Sequence, residues 1–148
     1  MNSKKISWCL KQKKGIELVE LNDNLCKAYF NESEETLQEI GDGSSKWDVI
    51  KAYYACYHAL YAILIKCGIK CEIHDCSIEL MKLMDSFSKE DYNFLNELKE
   101  KRIQVQYYLK KKTLDNLKPI KQFVLKCQEI AENINPKKIR EAIKHGKR

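Results

Sequence analysis

Residues 47–67 read Trp47-Asp-Val-Ile-Lys-Ala-Tyr-Tyr-Ala-Cys-Tyr-His-Ala-Leu-Tyr-Ala-Ile-Leu-Ile-Lys-Cys67, a segment apolar almost all the way round a helical wheel. Within it, Ala52–Ile65 carries no Lys, Arg, Asp or Glu. A helix without a polar face must be covered on every side, so this one is expected at the centre of a helical bundle. It is too short for a bilayer, which needs about 20 apolar residues in a row.

The segments on either side supply the helices that would cover it. Upstream, Leu25, Ala28, Tyr29, Thr36, Leu37 and Ile40 recur at steps of three and four, with Asn22 as the N-cap. The loop Gly41-Asp-Gly-Ser-Ser offers Ser45 as the next cap and Asp48 for the first turn. Downstream, Gly68 ends the central helix, residues 69–75 read as a loop, and 77–87 as a short helix with Ile78, Met81 and Met84 inward. Ser88 and Asp91 form a capping-box pattern that opens a helix running to about Lys112. A further helix around Pro119 carries the stripe Ile120, Phe123, Val124, Cys127, Ile130, Ala131 and Ile134, and Pro136 closes it.

The predicted architecture is all-α: an up-and-down bundle of four to five helices over 22–134, with a basic N-terminal arm at 1–21 and a basic C-terminal tail at 135–148. That tail has room for one short basic helix. With 148 residues the chain has the size of one domain, and 5 Gly and 2 Pro are too few for the repeated turns of a sandwich or barrel. The 7 cysteines are an odd number with no secretory signal ahead of them, which predicts free thiols and a cytoplasmic address. The net charge of +6 is uneven. Lys4, Lys5, Lys11, Lys13 and Lys14 stand without an acid in 1–14, and Lys137, Lys138, Arg140, Lys144, Lys147 and Arg148 face only Glu141 in 135–148. The body between is mildly acidic, so the ends suit a phosphate-rich partner or plain solvation.

Arg102 is the most informative single residue. Leu95, Leu98, Arg102, Val105 and Leu109 follow one another at three- and four-residue steps, which places a cation on a core stripe. An unpaired buried ion costs tens of kcal/mol in the idealised limit, so Arg102 needs an internal carboxylate, a phosphate or a subunit interface. Around it Lys99, Lys101, Lys110, Lys111 and Lys112 face Glu100, and Gln104, Gln106, Tyr107 and Tyr108 interleave polar and aromatic groups. Such a surface can stack on single-stranded bases, or it can be a solvated helix end. His58 sits on the buried helix as either a satisfied core side chain or a catalytic base. Cys67, Cys71, His74 and Cys76 lie close in sequence, but their spacing is not that of common zinc modules, so no metal and no cofactor is expected. No Gly-rich phosphate loop, Gly-x-Ser-x-Gly elbow, His-Glu-x-x-His pair or dinucleotide fingerprint is present.

The run Lys51-Ala-Tyr-Tyr-Ala-Cys-Tyr-His-Ala-Leu-Tyr resembles the central helix of the HEPN family. The following loop with His74, and Arg102 within Lys-Arg-Ile-Gln-Val-Gln-Tyr-Tyr, extend the resemblance over roughly residues 22–134. It implies a helical bundle that commonly forms a homodimer, with the Arg-bearing helices near the two-fold axis. Many members are toxin-like, metal-independent ribonucleases paired with a nucleotidyltransferase antitoxin. In those, a His four to six residues after the Arg assists the ribose 2′-hydroxyl while the Arg holds the phosphate. Here the fifth position after Arg102 is Tyr107, and no His lies between His74 and His145.

These features lead to an expectation of a non-catalytic or weakly active HEPN-like protein that binds RNA or a nucleotide. Arg102, Gln106, Tyr107, Tyr108, Lys110, Lys111 and Lys112 would carry the binding. The alternatives are an endoribonuclease using Arg102 with His58 or Tyr107 as base, and a protein-interaction subunit of a nucleotidyltransferase.

Overall fold

The structure, a computed structural model, describes residues 4–145. It is an all-α bundle arranged about one central helix, α3 (Lys46–Lys66), in the order α1 (Lys4–Lys11), β1 (Glu17–Leu18), α2 (Asp23–Glu39), α3, β2 (Ile69–Lys70), α4 (His74–Glu79), a 3-10 turn (Leu80–Leu83), α5 (Lys89–Gln106), α6 (Lys118–Asn133) and α7 (Pro136–His145). The central helix is buried along its length, from Val49 through Ile65, and packs on α2, α5 and α6. Ser33 of α2 is buried against it and donates to the Ala55 carbonyl at 2.6 Å, which satisfies its hydroxyl inside the core.

The helix starts follow the side-chain chemistry. Asn22 accepts from Leu25 N, Ser45 from Trp47 N, and Ser88 and Asp91 complete a reciprocal capping box. Asp48 does more than complement the helix dipole. Its carboxylate accepts from Gly41 N and Gly43 N at 2.8 and 3.0 Å, which ties down the α2–α3 loop and lowers its pKa. Pro119 lies in the first turn of α6, where its missing N–H loses nothing.

The basic arm and the basic tail both pack on the bundle over their described residues. α1 buries Ile6 and Cys9, Ile16 is buried, and β1 pairs antiparallel with β2. At the other end α7 buries Ile139 and Ile143, while Arg140 Nη1 donates to the carbonyls of Val19, Cys67 and Gly68. One guanidinium thus gathers β1 and the exposed carbonyl end of α3. Gly68, at φ +71°, makes that approach feasible, since a Cβ there would lie 2.3 Å from Arg140 Nη1.

Three local expectations need correction. Cys9 and Cys76 are joined in a disulfide with their Cα atoms 5.8 Å apart, because α1 crosses α4 and brings together residues 67 apart in sequence; only Cys26, Cys56, Cys67, Cys71 and Cys127 are free. The reading of every cysteine as a free thiol fails there, and with it the cysteine-based argument for a reducing compartment. The third helix begins earlier than expected, at His74, and tightens to a 3-10 turn at Leu80. Helix α5 stops at Gln106 instead of about Lys112: Leu109 turns to φ 52° and is 75% exposed, so the core stripe ends at Val105. Among the described residues, no helix is long and apolar enough to cross a membrane.

Candidate functional site

Arg102 enters the core from α5 and is 7% exposed. Among the described residues it forms no ion pair. Nη1 donates to the Gln106 side-chain oxygen at 3.3 Å, and Nε is buried with no hydrogen-bond partner. In place of a carboxylate, its guanidinium carbon lies 4.7 Å from the Tyr53 ring centre, 5.5 Å from Tyr54 and 5.8 Å from Tyr107. Ring faces attract a cation by on the order of 1 kcal/mol each, well short of the cost of burying it.

The tyrosines form an organised wall. Tyr53, Tyr57 and Tyr61 recur one turn apart on α3, so their rings stack at 5.8 and 6.0 Å. Each hydroxyl has a partner in the loop or short helix opposite: His74 Nδ1 lies 2.7 Å from the Tyr53 hydroxyl, Tyr57 donates to Ser77, and Tyr61 accepts from Cys71 N. His74 itself stacks on Tyr57, with ring centres 3.9 Å apart. Burial, with the Arg102 charge adding to it, pushes the His74 imidazole down to about 4, so it is neutral near pH 7. Burial pushes the Tyr53 phenol up, and the nearby Arg102 opposes this.

The residues singled out from sequence distribute as follows. Arg102, Gln106 and Tyr107 come together at the end of α5. Tyr107 is 64% and Tyr108 70% exposed, and Lys110, Lys111 and Lys112 line a groove of about 430 Å3 together with Ser44, Lys46 and Val105. His58 is one ring removed from the site, lying between Tyr29 and Tyr54 at 5.7 and 5.8 Å. Its Nδ1 is buried without a partner, and burial lowers its pKa. Two members were missed by sequence reasoning. In the sequence Tyr53 belongs to the buried helix and His74 to a metal-candidate set, and both contribute to the HEPN resemblance without a role at the site. Their meeting with Arg102 is a tertiary event that no local spacing signals. Cys76 is held in its disulfide, and among the described residues no group of three or more His, Cys, Asp or Glu is placed to hold a metal ion.

Chemically the arrangement is a guanidinium held among aromatic rings beside a neutral imidazole, with a lysine-lined groove that begins at Val105 of the same helix. No protein-family model matches this chain, and no curated protein or solved structure matches it either.

Proposed function

We propose that this chain is a HEPN-like protein that binds RNA or a nucleotide, with Arg102 holding phosphate and Gln106, Tyr107, Tyr108, Lys110, Lys111 and Lys112 contacting the rest of the ligand. The observation that carries this reading is the unpaired cation. Arg102 is buried, has no carboxylate partner among the described residues and has an unsatisfied Nε, so the folded chain bears a desolvation cost that an anionic ligand would offset. The exposed tyrosines and lysines beyond it suit unpaired bases and backbone phosphates. The resemblance extends this reading to a cytoplasmic homodimer working beside a nucleotidyltransferase in a toxin-antitoxin-type system.

The test is incubation of wild type and Arg102→Met, in EDTA, with labelled single-stranded RNA, scoring retention and cleavage. Replacing an unpaired buried ion by an apolar chain of similar length is expected to leave the melting temperature unchanged or higher, so a lost function would not mean a lost fold. Retention by wild type and loss of at least about tenfold in affinity for Arg102→Met is the expected result, equivalent to one charge-assisted contact. Arg102-dependent cleavage would replace the binding reading by a ribonuclease. Equal retention by both proteins would remove Arg102 from the site.

A further inference from the structure

Tyr53 links Arg102 to His74, and the positions of the protons along that link follow from elementary donor rules. A guanidinium can only donate. The guanidinium carbon of Arg102 lies 4.7 Å from the centre of the Tyr53 ring, so the phenol sits in the field of a fixed cation. The phenol oxygen lies 2.7 Å from His74 Nδ1, and the field of the cation turns its lone pairs toward Arg102 and its single proton toward that nitrogen. A neutral imidazole that accepts at Nδ1 carries its hydrogen on Nε2. Among the described residues that Nε2 has no hydrogen-bond partner, and the Nε of Arg102 has none either.

Two donors without acceptors therefore border the same pair of rings: Arg102 lies over Tyr53 and Tyr54, and His74 packs against both. We infer that Arg102 and His74 together form a subsite for a terminal phosphate monoester, the end group of a nucleotide or of an RNA strand. Tyr53 is the positioning residue that keeps His74 in the donor tautomer. This rests on the reading of Arg102 as a ligand-binding cation and adds the second donor and the kind of phosphate.

The terminal group is favoured by enclosure. Arg102 is 7% exposed and ringed by Tyr53, Tyr54 and Tyr107. An internal phosphodiester would have to bring two flanking nucleosides into that recess. A terminal phosphate brings one, and offers three free oxygens to donors that have no other acceptor.

Full-length protein labelled with 15N-histidine tests this in two measurements. Imidazole nitrogen spectra of the free protein at neutral pH should show His74 as the Nε2–H tautomer, and Tyr53→Phe should abolish that preference. A His74 found as Nδ1–H in wild type would overturn the relay. Binding is then compared for one short oligoribonucleotide carrying either a 5′-phosphate or a 5′-hydroxyl. The phosphorylated strand should bind about tenfold tighter, the worth of one charge-assisted hydrogen bond, and should shift the His74 signals. Both effects should vanish in Arg102→Met, and His74→Gln, which keeps an N–H donor, should retain more of the preference than His74→Phe. Equal affinity for the two strands, with Arg102 still required, would defeat this inference while leaving the general binding reading intact. Loss of any Arg102 dependence would defeat both.

Discussion

Arg102 occupies a position where the three- and four-residue rhythm of α5 calls for a leucine, and that mismatch is what made it visible in the sequence. The burial follows from Leu95 and Leu98 before it and Val105 after it, all buried on the same stripe. Its surroundings were not visible, because Tyr53 and His74 are brought to it from α3 and α4 by the fold. His74 carries a consequence for acid stability. Its imidazole is held at about 4 by burial and by the Arg102, His58 and Lys99 charges, with Asp75 opposing, against 6.5 in an unfolded chain. Between those values the unfolded chain binds more protons than the folded one, so stability falls as pH drops from 6.5 toward 4 and is fully present above 6.5. Asp75 and Asp91 are lowered carboxylates, so their stabilisation is lost from the ordinary carboxylate value downward, as pH falls through their folded values, below most of the His74 window. Urea unfolding across pH 7.5, 5.5 and 4.5 should show this decline in wild type and a shallower one in His74→Gln. It should not become flat, because burial also depresses His58. An identical slope in both proteins would show that His74 takes up its proton as readily in the fold as outside it.

At the level of elements, starts were more legible than ends. Asn22, Ser45, Ser88 with Asp91, and Pro119 each mark a start through a side chain whose chemistry acts within four residues. The end of α5 has no such marker. The last helical bond runs from Tyr107 N to Ile103 O, after which Leu109 reverses and Lys110 N returns to Gln104 O. That reversal places Tyr107, Tyr108 and the lysines on the surface, whereas a helix continued to Lys112 would have wrapped them round its own axis. The Cys9–Cys76 bond was equally hidden, since disulfide partners are chosen by tertiary distance. It fixes α1 to the short α4 that carries His74 at its first position. Closing a loop between residues 67 apart is worth about 4 kcal/mol by chain-entropy reasoning. The double replacement Cys9→Ala/Cys76→Ala should lower the unfolding free energy by about that amount under non-reducing conditions. Thiol titration of denatured, unreduced wild type should find 5 reactive groups of 7. Finding all of them reactive would mean the bond does not form.

At the scale of the whole molecule, the charge asymmetry read from the sequence acquires a different meaning once the ends are docked. The lysines of α1 and the cations of α7 ride on helices whose apolar faces are buried, so they decorate a fixed surface. The central cluster of Lys110, Lys111 and Lys112 is exposed and lies beside Lys46 on the groove near Arg102. If RNA follows that groove, each neutralised phosphate releases counterions, and log affinity falls with log salt by roughly 0.7 per contact for single strands. Replacing Lys110, Lys111 and Lys112 together by Gln should therefore reduce the salt slope by about 2, while the dependence on Arg102 persists. The two quantities report on different parts of the ligand. A slope that survives the triple replacement would place the phosphate path elsewhere, with the docked lysines of α1 and α7 the next to change. A slope that falls as expected, with no further change on replacing those of α7, would confine the electrostatic contact to the end of α5 and the loop that follows it.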